Sequence, residues 1–245
     1  MRNERKVIIL AAGTSQRLAK LTHDIPKCLL PVGENTILGR QLDNVRKAGL
    51  TDVVLSVGYK AEKIEEYIKP YEDKLRIHVE FNPFFDISNN IMSLWNIRHL
   101  VRKNPILIVN GDNVFDYRIL TSLMKCPHDN VLMVQVKEEY DGDDMKVQST
   151  DDRLIAVNKS MKSSAATGES IGIMKFSVEG SERLMQKLEN MSRTKENLHV
   201  WYLRAIQELV NDRFPIHICN INGLPWEEVD FPEDIERVRQ QKWQD

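Results

Sequence analysis

Two aspartates, two cations and a loop of small residues form the part of this sequence that can do chemistry. The loop is Leu10-Ala11-Ala12-Gly13-Thr14-Ser15, with Arg17 just beyond it and Lys27 following Pro26. Side chains this small leave the backbone open to a base or a phosphate, and free N–H groups in such a loop make an anion-binding nest. Arg17 offers a forked contact to phosphate oxygens and Lys27 a compact point charge. A tight strand–helix turn with two solvated cations would account for Ala-Ala-Gly alone. It does not account for the loop together with Arg17 and Pro26-Lys27. Neither GxGxxG after the first strand nor GxxxxGK[ST] is present, which disfavours a nicotinamide-dependent oxidoreductase and a P-loop enzyme.

Asp112 stands behind Gly111 in Val109-Asn110-Gly111-Asp112-Asn113, just past an apolar run. A carboxylate there can face a pocket and bind a hard cation through oxygen, or simply close an Asx-turn. Asp230 ends Trp226-Glu227-Glu228-Val229-Asp230, ahead of Pro232-Glu233-Asp234. If 226–230 is extended, Glu228 and Asp230 share a face. An acidic helix N-terminus explains Glu233 and Asp234 well and Asp230 less well.

These groups need a scaffold. Apolar, β-branched runs at 7–10, 53–57, 77–81, 106–109 and 131–136 predict buried strands. Ile37, Leu38, Leu42 and Val45 line one helical face that Gly49 can stop, and Ile91, Leu94, Ile97 and Val101 line another. Alternating strands and helices predict a mostly parallel sheet covered on both faces. In such sheets ligands sit beyond the carboxyl ends of the strands, where the first loop and Asp112 fall. After residue 137 the chain turns polar. Strands are expected at 154–157, 171–176 and 216–221, helices around 184–188 and 200–210, and a last helix from Pro232. Residues 137–176 read as a substrate-side insertion or lid on a single domain spanning 1–245.

With 34 basic and 36 acidic residues, the net charge of −2 advertises no nucleic-acid or membrane surface. No apolar run is long enough to span a bilayer, and no signal peptide opens the chain, so a cytoplasmic location is expected. Three widely spaced cysteines, Cys28, Cys126 and Cys219, have no metal-type spacing and read as reduced thiols.

The loop, Arg17, Pro26-Lys27, Asp112 and the Glu228–Asp230 segment together resemble the sugar-phosphate nucleotidyltransferase (pyrophosphorylase) superfamily. Its signature is Ala-Ala-Gly-x-Gly-x-Arg followed about ten residues later by Pro-Lys, and Ser15 here replaces the second glycine. The resemblance implies a three-layer α/β/α, Rossmann-like domain with a mostly parallel, mixed sheet. It implies that residues 10–15 wrap a nucleotide whose phosphates Arg17 and Lys27 hold, and that Asp112 and Asp230 hold Mg²⁺.

Asn82-Pro83, then Ser88-Asn89-Asn90-Ile91-Met92-Ser93-Leu94, resembles the phosphocholine cytidylyltransferase-like branch. So do Asp144-Met145-Lys146-Val147 and Gly168-Glu169-Ser170-Ile171-Gly172-Ile173. The Val-Glu-Lys-Pro segment of the hexose 1-phosphate enzymes is Val157-Asn158-Lys159-Ser160 here, without the glutamate and proline. This branch implies CTP as donor and a small acceptor such as phosphocholine or 2-aminoethylphosphonate. Asn82, Ser88 and Asn89 would then join the nucleotide site, and Asn113, Lys146, Lys159, Glu169, Trp201 and Glu228 the acceptor site. A sugar 1-phosphate uridylyl- or thymidylyltransferase is the alternative, and a non-catalytic regulatory protein of the same fold a second one. A homodimer is left open.

Overall fold

The computed structural model describes residues 5–243. The β-branched runs become strands β1 (Lys6–Ala11), β2 (Asp52–Val57), β3 (Arg76–Phe81) and β4 (Ile106–Asn110). After the short β5 (Asn113–Phe115) come β6 (Val131–Gln135), β7 (Lys146–Thr150), β8 (Arg153–Asn158), β9 (Gly168–Phe176), β10 (His217–Asn220) and β11 (Trp226–Glu228). Nine strands form one sheet in the order β3-β2-β1-β4-β9-β6-β10-β8-β7. The β1–β2, β1–β4, β2–β3 and β6–β10 pairs are parallel, whereas β9 runs antiparallel to both β4 and β6. The sheet is mixed, and the expected three-layer α/β architecture is present.

Strand alternation divides the apolar residues between the two faces. Ile8, Val54, Ile106 and Ile108 pack on one side beneath helices Asn90–Asn96, Val178–Ser192 and Leu203–Asn211. Val7, Ile9, Val53, Leu55, Leu107 and Val109 pack on the other, beneath helices Ile37–Lys47, Ala61–Ile68 and Arg118–Lys125. Each fully buried Leu, Ile or Val contributes about 1.5–3 kcal/mol relative to exposure, which fixes helices this short. Thr36 Oγ1 accepts the Gly39 N–H at 3.0 Å to start Ile37–Lys47, and Gly49 ends it at φ +75, a left-handed conformation that residues with a side chain rarely adopt.

The segment 137–176 is not a lid standing beside the sheet. Gly168–Phe176 is buried at every position and lies between β4 and β6, in the middle of the sheet. Its antiparallel entry is what let a central strand read as part of an insertion. The β7–β8 hairpin before it extends the sheet beyond β10, and β7 also pairs with β9. The expected helix through Ile97 is broken there into Asn90–Asn96 and Arg98–Val101.

Candidate active site

Parallel pairing of β1 with β4 sets Leu10 opposite Asn110, so the small-residue loop and the Gly111–Asp112 turn leave the same edge of the sheet. Gly111 is required there. A Cβ on it would lie 2.3 Å from Leu10 O, and its N–H donates to that same carbonyl at 3.0 Å. The antiparallel β5–β11 pair then brings in the second acidic segment, with Glu228 opposite Asn113 and Val229 N donating to Asp112 O at 3.1 Å. Segments more than a hundred residues apart in sequence thereby meet in one cleft of about 390 Å³.

Asp112, Glu228 and Asp230 each offer a carboxylate oxygen, and these oxygens lie within 4.8 Å of one another. Lys27 sits between two of them, with Nζ 2.6 Å from Asp230 Oδ1 and 3.1 Å from Asp112 Oδ2. Arg17 Nη1 donates to Asp230 Oδ2 at 2.9 Å. Burial works against the charge on Lys27, but Asp112 and Asp230 outweigh it and hold its pKa above the ordinary lysine value. Burial likewise opposes charge on Asp230, and Lys27 with Arg17 wins, pulling that carboxyl below its ordinary value. Glu228 opens onto the cleft, yet the cleft walls exclude enough water to push its carboxyl up, and Asp112 and Asp230 add repulsion. Asp230 is thus held in its charged form, with Glu228 beside it inclined to stay protonated. Asp112 Oδ1 is buried with no hydrogen-bond partner among the described residues. An unpaired anionic oxygen beside further carboxylates is a donor set suited to a hard cation.

Leu10 through Ser15 line the cleft, with Arg17, Lys27, Ser88, Asn89 and Asp112 among the other residues expected at the nucleotide. Ser15, at the superfamily's glycine position, adopts φ +54, a left-handed conformation that glycine takes without cost. On the expected acceptor side, Lys159, Glu169, Trp201 and Glu228 line the same cleft, as does Asp230, expected with Asp112 at the metal. Lys159 Nζ lies 5.1 Å from the centre of the Trp201 ring, and 3.9 Å from Asp143 Oδ1.

Three expected ligands are elsewhere. Asn82 is fully buried and donates to Ser93 Oγ at 3.1 Å while accepting the Phe84 N–H. Asn113 is buried, and its Nδ2 donates to Ile171 O at 2.6 Å. Lys146 is buried in β7, its ammonium donating to Lys159 O at 3.1 Å. These three brace the cleft walls without lining them. Asn89 lines the cleft, but its side chain is also spent on structure. Its Oδ1 accepts the Asn90 N–H at 2.7 Å as a helix cap, and its Nδ2 reaches His199 O. Asn110, Gly172 and Tyr202 line the cleft as well, and nothing in their spacing marks them as site residues.

Glu169 is almost wholly buried, with Oε2 2.5 Å from Lys137 Nζ in an ion pair that is not aligned as a hydrogen bond. Burial pushes its carboxyl up to about 7; Lys137 opposes the shift and Asp144 adds to it. Because that value exceeds the 4.5 of an unperturbed glutamate, the stability it contributes is fully present below pH 4.5 and is lost as pH rises through about 7. Urea denaturation from about pH 5 to about pH 8 should therefore show wild type losing stability relative to Glu169→Gln. A difference that stays level across that window would mean that Glu169 titrates as an exposed residue does.

A family profile described as nucleotidyl transferase matches residues 6–139, more than half of the chain. Over 239 residues, 96% of this chain and 97% of the relative, the sequence is 21% identical to a choline-phosphate cytidylyltransferase of Streptococcus pneumoniae. Over 114 residues, 46% of this chain, it is 30% identical to a mannose-1-phosphate guanyltransferase of Gibberella zeae, of whose length the match spans 31%. The solved inositol-1-phosphate CTP transferase from T. maritima shares the fold, with a TM-score of 0.80 at 17% identity, covering 99% of each chain. No helix among the described residues is long and apolar enough to cross a membrane. The chain belongs to the nucleotidyl transferase family.

Proposed function

We propose that this protein transfers CMP from CTP to a small acceptor bearing a phosphate or phosphonate, such as phosphocholine or an aminoalkylphosphonate, and releases pyrophosphate. The observation that carries the reading is the meeting of Lys27 and Arg17 with Asp112 and Asp230 at the mouth of the small-residue loop. An ammonium has three donors. Lys27 spends two on the carboxylates, which leaves one for a phosphate oxygen. Asp112 and Asp230 would hold a Mg²⁺ ion, for which the orphaned Asp112 Oδ1 and the neighbouring carboxylates are fitting donors. Bound there, the ion would supply positive charge against the phosphate oxygens.

The acceptor's phosphate or phosphonate oxygen is anionic near neutral pH and needs no strong general base. It forms a bond to the α-phosphorus in line, and the bond from that phosphorus to the bridging oxygen of the β-phosphate breaks. Arg17 and Lys27 meet the charge that develops on the departing pyrophosphate, and Lys159 neutralises the acceptor. Positioning and charge neutralisation supply the catalysis.

The preference for CTP and a compact acceptor is supported by the Asn82–Leu94 resemblance, by the relative named for choline-phosphate and by the fold neighbour named for CTP. Trp201 and Glu169 in the cleft suit an amino or ammonium head, through an aromatic face and a carboxylate. The match to a mannose-1-phosphate guanyltransferase favours a sugar 1-phosphate as the competing acceptor. The test is pyrophosphate release from four nucleoside triphosphates, each paired with phosphocholine, 2-aminoethylphosphonate, glucose 1-phosphate and mannose 1-phosphate. CTP with one of the first two is expected to be fastest. A sugar 1-phosphate with UTP, dTTP or GTP as the best pair would overturn the substrate assignment and leave the carboxylate–cation site standing.

A further inference from the structure

Tyr202 is a fully buried tyrosine that lines the cleft without being exposed to solvent. Apolar packing explains its ring, which joins the core beneath Leu203–Asn211. Packing does not explain its hydroxyl, since a phenylalanine would fill the same space with no polar atom to satisfy. That hydroxyl donates to Asn110 Oδ1 at 2.9 Å, across 92 residues of sequence.

Asn110 ends β4 and leads into Gly111 and Asp112. Its side chain lies over Gly172, where a Cβ would come within 2.3 Å of Asn110 Nδ2, and Gly172 itself sits at φ +68. Its carbonyl accepts from Gln41 Nε2 at 2.9 Å, and the same amide reaches Asn113 O at 2.7 Å. Gly111 N is held by Leu10 O. The Asp112 turn is therefore gripped by its backbone from one side, and by the Asn110 side chain from the other. Tyr202 supplies that second grip.

Tyr202 is itself anchored. Its N–H donates to Asn90 Oδ1 at 2.9 Å, and the preceding stretch is tied by Asn89 N to Leu198 O at 2.8 Å. Hydrogen bonds thus run from the Asn89-Asn90 pair, through Tyr202, to the turn that carries Asp112.

We propose that Tyr202 is a positioning residue for nucleotidyl transfer, acting through Asn110 to hold Asp112 in its working orientation. The inference rests on the reading of Asp112 as a metal-holding carboxylate. A freely swinging turn would still let substrate bind through the Arg17–Lys27 side of the cleft, and would lower the fraction of complexes with Asp112 in place. The loss should therefore appear in turnover more than in nucleotide affinity.

The test compares Tyr202→Phe, Asn110→Ala and the double variant with wild type. Three readouts are taken: steady-state kinetics, thermal melting, and calorimetric titration with Mn²⁺ alone. Tyr202→Phe is expected to lower kcat about tenfold, the worth of one buried hydrogen bond, with KM for the nucleotide within about twofold. Mn²⁺ should bind several-fold more weakly, and the melting temperature should fall by no more than about 2–4 °C, the shift that the loss of one hydrogen bond produces in a domain of this size. Asn110→Ala should show the same signature, and the double variant should be little worse than either single one. Unchanged kcat and Mn²⁺ affinity, a fall in kcat with unchanged Mn²⁺ affinity, additive effects, or a collapse in melting temperature in both single variants would each overturn the proposal. If wild type transfers no nucleotidyl group with any pair, the functional reading fails. The Mn²⁺ titration would still decide whether Tyr202 positions the carboxylate.

Discussion

Asp112→Asn and Asp230→Asn are each expected to reduce turnover on the order of 100-fold or more while leaving the protein folded. Each change keeps the side-chain volume and removes one anionic oxygen ligand. The fold should tolerate them because Lys27 bridges both aspartates, so either substitution leaves its ammonium one charged partner. Asp230 has Arg17 as a second cation, and that guanidinium is half exposed and can turn to water. The aspartates also act in different ways. Asp112 brings the buried, unpartnered oxygen, whereas both oxygens of Asp230 accept from cations. Kinetics together with a melting curve check the expectation. A near-normal rate in either folded variant would place the working carboxylates elsewhere.

Lys27→Ala should be the more damaging of the two cation variants, and Arg17→Ala the milder. The Lys27 side chain is 11% exposed and the Arg17 side chain 49%, so water screens the arginine's charge far more. Losing a charge-assisted hydrogen bond costs about 1.5–3 kcal/mol, or roughly tenfold or more in nucleotide affinity. Lys27→Ala has a second consequence. It leaves Asp112, Glu228 and Asp230 crowded together without the ammonium that lies between two of them. Divalent cations should therefore raise the melting temperature of Lys27→Ala more than that of wild type, because the ion then replaces the missing charge. Unchanged nucleotide affinity and turnover in Lys27→Ala, with no added response to Mg²⁺, would show that the lysine is only a structural counter-ion.

The elements that carry the site were legible where physics acts locally. Runs such as 7–10 and 106–109 are too β-branched and apolar to be anything but buried strands, and each ends where the structure places a cleft-lining turn. The small-residue loop, Arg17, Lys27, Asp112 and Asp230 stood out because charge and small size at those spacings have few other uses, and the structure brings them to one cleft. What failed was facing and long-range order. Lys146 and Asn113 sit on strands, where a shift of one position exchanges cleft for core, and their side chains point to backbone carbonyls instead. Asn82 spends its amide on Ser93 Oγ. No local signal placed β9 between β4 and β6, because an antiparallel central strand is joined to its neighbours only by pairing across the sheet. Tyr202 and Asn110 escaped notice for the same reason, since one hydrogen bond across 92 residues leaves no periodic trace.

Nucleotidyl transfer and hydrolysis of the γ-phosphate differ in which phosphorus is attacked, and phosphorus NMR sees that directly. With CTP, Mg²⁺ and phosphocholine or 2-aminoethylphosphonate, the triphosphate resonances should be replaced by pyrophosphate and an unsymmetrical diphosphate-type product in equal amounts. Neither product should form without the acceptor, and both should form on the order of 100-fold more slowly with Asp112→Asn. Inorganic phosphate and CDP in their place would mean attack at the γ-phosphorus, and would contradict the assignment of this cleft to CMP transfer.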